Sequence, residues 1–209
     1  MKNIKLNRMV KISLLSVMAF LLMFIDVPLP IFPAFLKIDI SDLPALLGAF
    51  AMGPIAGVAI ELFKNILILI LKGTSSGFVG EFANFTVGAI FVLVSGYIYK
   101  LNKTKKMAII SLFAGVLAFS IGATVLNYFV FLPLYSVAFK MPVEAFIGMG
   151  AAVNSNIDSL LDFVLLSILP FNLLKGVVVA AITIPVYKSV SGYLQSEELT
   201  ADQKKTAYR

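Results

Sequence analysis

Leu43-Pro-Ala-Leu-Leu-Gly-Ala-Phe-Ala-Met-Gly-Pro-Ile-Ala-Gly-Val-Ala-Ile-Glu-Leu-Phe-Lys-Asn-Ile-Leu-Ile-Leu-Ile-Leu71 is apolar apart from Glu61, Lys64 and Asn65. Hydropathy alone allows one long membrane helix or two shorter ones, and the choice sets the side of the membrane on which every later segment lies. Gly53-Pro54 favours two, because proline cannot continue a helix but readily starts one and glycine supplies the turn between them. Charge placement agrees. With Lys2, Lys5, Arg8 and Lys11 in the cytoplasm, a helix over Ile12 to Ile25 exits, two helices over about 43–72 return the chain to the outside, and Phe82 to Tyr99 brings it back. Lys100, Lys103, Lys105 and Lys106 then lie inside, as the positive-inside rule requires. A single helix would put them outside.

Composition sets the class. Of 209 residues, 60% are hydrophobic and 13% charged, with a mean hydropathy of +0.98, whereas a soluble domain carries about 25% charged residues. A water-soluble globule and a disordered chain are both excluded; the expectation is an all-α, polytopic membrane protein. The chain has neither Cys nor His, which removes disulfides, thiol nucleophiles and the commonest metal ligand. No paired carboxylates converge on one site, so neither a catalytic nor a metal site is expected. The net charge of +6, from 17 basic and 11 acidic residues, falls at the ends of apolar runs. It reports topology rather than nucleic-acid binding.

The remaining runs complete the count. Met107 to Phe139 is uncharged, whereas Ala145 to Tyr187 is broken by Asp158, Asp162 and Lys175. Asn154, Asn156, Asp158 and Asp162 make Met141 to Leu169 a partly helical outer loop, and Pro170 suits the first turn of a last helix over about Phe171 to Tyr187. Six transmembrane helices result, with both termini cytoplasmic: a single domain over residues 1–193 and a tail over 194–209. The first run is retained rather than cleaved, because Asp26-Val-Pro-Leu-Pro30 lacks the small-x-small pattern of a signal peptide. Leu43 to Met52 is only ten residues, roughly 15 Å against a hydrocarbon core of about 30 Å. Irregular backbone beside it must be covered by protein or face a cavity. Val27 to Asp39, apolar and with three prolines, reads as a stiff flap, and Asp39 and Ser41 as caps of the second helix.

Polar groups at membrane depth are costly and turn inward. Asn65, Glu81 and Asn84, Asn127, and Asn172 with Lys175 come from four helices and share a depth near the outer face. Each has a plainer alternative: a transmembrane Asn bonds a neighbouring helix for about 0.6 kcal/mol, and Glu81 suits a helix start. Asn172 and Lys175 lie on one helix face. Leu173, Leu174, Gly176 and Val177 cannot satisfy the ammonium, so it needs either a ligand or a carboxylate, Asp158 or Asp162. Gly73-Thr-Ser-Ser-Gly77 is a flexible turn whose backbone suits a phosphate, but there is no G-x-x-x-x-G-K-[ST]. Ser13, Ser16 and Ala19 form a small-residue stripe that permits close helix contact. Amides, one cation and apolar walls suit a mostly neutral ring whose edge alternates carbonyl and N–H groups.

Phe35-Leu-Lys-Ile-Asp-Ile-Ser-Asp-Leu-Pro-Ala45, Gly53-Pro54 followed by Glu61 and Asn65, Gly80-Glu-Phe-Ala-Asn84, and Pro170-Phe-Asn-Leu-Leu-Lys-Gly176 together resemble the riboflavin-specific S component of energy-coupling factor (ECF) transporters, over about residues 8–190. The resemblance implies a six-helix, multi-pass subunit of a prokaryotic cytoplasmic membrane that captures riboflavin at the outer face. It implies no cofactor, and partners in a membrane coupling subunit and two ATPases. Asn172 and Lys175, Asn127, the loop backbone at Leu36, and Asn84 would hold the ligand. The family's first helix docks on the coupling subunit through Ala-x-x-x-Ala; here Ser13, Ser16 and Ala19 stand in that region, without that pair. A different vitamin or FMN on the same architecture, a small membrane enzyme, and an assembly factor without ligand are the alternatives.

Overall fold

In the computed structural model, which describes the backbone of residues 4–207 and the side chains of residues 5–190, the apolar stretch breaks where its dipeptide demands. Helix α2 (Leu43–Met52) ends on Gly53, whose φ of 96° is open to glycine alone at no steric cost, and α3 (Pro54–Leu71) starts on the proline. Around this pair run α1 (Ile4–Leu22), α4 (Val79–Leu101), α5 (Lys105–Phe139), α6 (Val143–Ala151) and α7, which starts at Leu160 and continues to Ala207. A two-stranded antiparallel hairpin, β1 (Val27–Pro28) and β2 (Lys37–Ile38), links α1 to α2 with Val27 opposite Ile38.

Among the described residues, four helical stretches are long and apolar enough to cross a membrane: Pro54–Leu71, Val79–Leu101, Lys105–Phe139 and Leu160–Val190. Helix α1 carries Lys5, Arg8 and Lys11, and α2 is too short to cross alone. The outer surface is apolar, with Leu14, Ile70, Phe113, Phe129 and Val177 all exposed, as a lipid-facing bundle requires.

Every residue of α2 is buried, the position expected of a helix that is apolar on all sides. It packs against α1, α3, α4 and α7. Lipid is as apolar as leucine, so close backbone approach matters more here than exclusion of water. Gly57 supplies that approach, since a Cβ there would lie 2.9 Å from the Ala45 carbonyl oxygen, and Gly96 does so against Pro54.

Two findings depart from expectation. The last helix starts at Leu160, well before Phe171, because Ser159 caps it: the Ser159 hydroxyl accepts from the Asp162 N–H at 3.1 Å and donates to the Asp162 carboxylate at 2.6 Å. Pro170 is therefore inside a helix, where the backbone opens into a π turn over Val164–Ile168. Helix α5 does the same, with a π turn over Asn127–Phe131 just before Leu132-Pro133. Helix α7 also runs beyond Tyr187 into the expected tail.

The bundle has two polar ends. Arg8 donates to the Met52 carbonyl at 2.9 Å and shares a cavity of about 430 Å³ with Gly53, Lys100 and Lys103. Lys103, Lys105 and Lys188 border a neighbouring one of about 480 Å³. The start of α1, the α4–α5 turn and this part of α7 thus share one end. The hairpin, the α3–α4 turn and the start of α4 meet around a larger cavity at the other.

Candidate functional site

That larger cavity measures about 620 Å³ and is bounded by Phe35 and Asp39 from the α1–α2 connection, Glu81 and Asn84 from α4, and Tyr135 and Phe139 from α5. The turn at Gly73–Gly77 forms part of its rim. Thr74 and Ser76 hydroxyls donate to Glu81 Oε2 at 3.0 and 3.2 Å, while the N–H groups of Ser76 and Phe78 donate to Thr74 Oγ1 at 3.2 and 2.9 Å. The turn is ordered around a carboxylate rather than open to a phosphate. Asn84 Oδ1 is buried there without a hydrogen-bond partner, a polar atom whose desolvation costs about 1–3 kcal/mol until something donates to it.

Beneath the connection lies a buried ionic network. Lys64 on α3 donates to Asp42 Oδ1 at 2.8 Å and to the Ser41 hydroxyl at 3.1 Å, and its Nζ lies 2.7 Å from Glu61 Oε2. The Glu61 contact is an ion pair without hydrogen-bonding geometry, so both Glu61 oxygens lack a hydrogen-bond partner. Lys175 on α7 donates to Asp39 Oδ2 at 2.8 Å and lies 3.7 Å from Asp42 Oδ2. Burial opposes ionisation of Asp39, but the ammonium groups of Lys175 and Lys64 outweigh it and hold the carboxyl at about 2, below its usual range.

These contacts correct two expectations. Lys175 pairs with Asp39 and not with Asp158 or Asp162, the latter bonded to Ser159. Asp39 and Ser41 do not cap α2: Asp42 occupies the N-cap position without a side-chain cap bond, and Asp39 Oδ1 accepts from the Ser41 N–H at 2.9 Å.

Of the five candidate ligand residues, Asn84 alone among the described residues borders the cavity, and Leu36, Asn127, Asn172 and Lys175 lie outside its lining. Asn172, buried, donates to the Ile168 carbonyl at 2.8 Å, and half-buried Asn127 to that of Ala123 at 2.7 Å. The π turns that neighbour them touch each other. Lys175 reaches the cavity wall only through Asp39. Leu36 packs against the apolar cluster that includes Phe146, Phe163 and Ile168, and the connection is fastened further by Phe32 against Phe171, edge to face at 5.4 Å. Of the small-residue stripe on α1, Ser13 is exposed, while Ser16 and Ala19 are buried in the chain's own packing.

The family model for the substrate-specific component of ECF transporters matches residues 7–187. The chain belongs to this family. As an S component it is a transporter subunit and not an enzyme. It is 36% identical over 189 residues to the riboflavin transporter RibU of Staphylococcus aureus (strain TCH60), covering 90% of this chain and 93% of that protein. It is 34% identical over 195 residues to the riboflavin transporter FmnP of Bacillus subtilis (strain 168), covering 92% and 96%. A solved structure described as "Structure and mechanism of the S component of a bacterial ECF transporter" superposes with a TM-score of 0.70 at 36% identity, over 91% of this chain and 99% of that one. In this S component the residues that sequence reasoning passed over are Asp42 and Lys64. Opposite charges inside an apolar bundle had to meet, but only the fold shows that these two do so between the α1–α2 connection and α3.

Proposed function

We propose that this S component binds riboflavin at the outer face of a prokaryotic cytoplasmic membrane and delivers it for import. The observation that carries the reading is sequence likeness: relatives named as riboflavin transporters share 34–36% of their residues across nine-tenths of the chain. The site is compatible, since a cavity of about 620 Å³ lies in the range of roughly 300–1,000 Å³ usual for small-molecule sites. Leu36, Asn84, Asn127, Asn172 and Lys175 are the proposed ligand contacts, with the amides matching the donors and acceptors of the ring edge. Carboxylates of Asp26, Asp39 and Glu81 face the cavity against Lys37 and Lys72, a balance that favours a neutral flavin over a phosphorylated one.

The topology belongs to the same proposal: six crossings with α1 and α2 as the first two, both termini cytoplasmic, one domain over 1–193 and a tail over 194–209. ATP hydrolysis would occur in two partner ATPases, linked through a membrane coupling subunit that meets α1 in the region of Ser13, Ser16 and Ala19. Purified protein is expected to carry a yellow, fluorescent flavin or to quench added riboflavin, and Asn172→Ala or Lys175→Ala to weaken binding. A colourless preparation that leaves riboflavin fluorescence unchanged overturns the substrate; FMN competing as well as riboflavin would widen it.

A further inference from the structure

The side chain of Lys175 is a compact charge on a flexible four-carbon stem. Nothing in that stem fixes where the ammonium points, and its helix neighbours Leu174 and Gly176 offer no acceptor. Its position is set instead by the Asp39 carboxylate at 2.8 Å, with Asp42 Oδ2 at 3.7 Å. Asp39 is itself oriented: its other oxygen accepts from the Ser41 N–H at 2.9 Å. The Ser41 hydroxyl and Asp42 Oδ1 are held by Lys64, which is fully buried on α3. A continuous set of charge-assisted contacts therefore runs from α3 through the last residues of the α1–α2 connection to α7. Asp39 is the member of this set that also lines the 620 Å³ cavity, so it stands between Lys175 and the space a ligand would fill.

We propose that Asp39 is a positioning residue for ligand binding: it fixes the Lys175 ammonium behind the stretch of cavity wall that Asp39 itself forms, and Lys64, through Ser41 and Asp42, fixes Asp39. This rests on the riboflavin reading above. An ammonium has three donors; one is given to Asp39, and the ligand takes another without breaking the pair. Asp39 and the ligand are then joint acceptors of one cation, and the end of the connection is locked to α7 whenever the ligand is held.

The test is a double-mutant cycle on the full-length chain in detergent, reading riboflavin affinity by fluorescence quenching and the melting temperature of each ligand-free variant. Asp39→Asn is expected to weaken riboflavin binding by roughly tenfold or more in the wild-type background, and by less than about twofold where Lys175→Met has already removed the ammonium, since residues in one network are not additive. Asp39→Glu, which keeps the charge but moves it by about one carbon–carbon bond, is the second variant; it is expected to melt near the wild type and still to lose affinity. Equal losses from Asp39→Asn in both backgrounds, or affinity unchanged by either substitution at Asp39, would overturn the inference. If the wild-type chain itself fails to bind riboflavin, the functional reading falls and this inference with it, whereas binding without coupling removes the inference alone.

Discussion

Glu61 is the odd charge in the buried network. Asp39, Asp42 and Glu61 face two ammonium groups, and Glu61 is the carboxylate that makes no hydrogen bond. Gly88 makes room for it, since a Cβ there would lie 2.6 Å from Glu61 Oε2. Removing one partner of a buried pair costs about 3–5 kcal/mol when it leaves the other charge uncompensated, and loss of the Glu61 charge does not, because Lys64 keeps Asp42 at 2.8 Å. Glu61→Gln brings the count to two and two and is expected to melt at or above the wild-type temperature. Lys64→Gln leaves three carboxylates to one ammonium and is expected to lose most of that figure; a thermal shift comparison of the two in one detergent decides it. Gly88→Ala should lower stability by about 1–3 kcal/mol through overpacking. In the sequence, Lys175 visibly needed a partner, yet the carboxylate that answers it lies 136 positions away. Spacing along a chain says nothing about such a pair, and the nearer acids Asp158 and Asp162 were the natural but incorrect choice.

At the scale of elements, local signals were legible where one dipeptide or cap decides the backbone. Gly53-Pro54 marks the α2–α3 boundary because proline cannot continue a helix but can start one, and glycine takes the φ of 96° between them without strain. Ser159-x-x-Asp162 is an equally local start signal for α7, masked by the polar residues around it, which made the whole stretch read as a loop. The π turns were not legible, since they depend on what each helix packs against. Both lie just ahead of a Leu-Pro pair, Leu132-Pro133 and Leu169-Pro170, where the proline removes an N–H from the ladder. Such an extra residue turns everything beyond it by about 100° relative to the preceding helix. Pro170→Ala restores the N–H and relieves the ring's clash, so the turn is expected to relax toward an α-helix. Asn172 and Lys175 would then rotate relative to Phe163, weakening riboflavin binding while the ligand-free protein melts no lower than the wild type. Unaltered affinity would show that the turn does not set the direction of these side chains.

For the whole molecule, the deciding feature is that its two polar ends differ in charge. Arg8, Lys100 and Lys103 gather around one cavity and Lys103, Lys105 and Lys188 around the next, and among the described residues no Asp or Glu lines either. The opposite cavity mixes Asp26, Asp39 and Glu81 with Lys37 and Lys72. Cations retained at one end orient a membrane protein with that end in the cytoplasm, and acidic residues contribute little to the bias. The structure thus brings the start of α1 to the same end as the α4–α5 turn, which an even number of crossings between them requires. With no cysteine in the chain, single-cysteine variants report position without background. Ser75→Cys, on the exposed α3–α4 turn, is expected to react with a membrane-impermeant maleimide in intact cells, whereas Lys106→Cys, exposed at the start of α5, is expected to react only after permeabilisation. Labelling of Lys106→Cys in intact cells would invert the molecule, turn the Asn84 cavity toward the cytoplasm, and leave a riboflavin-capturing role at the outer face without a site.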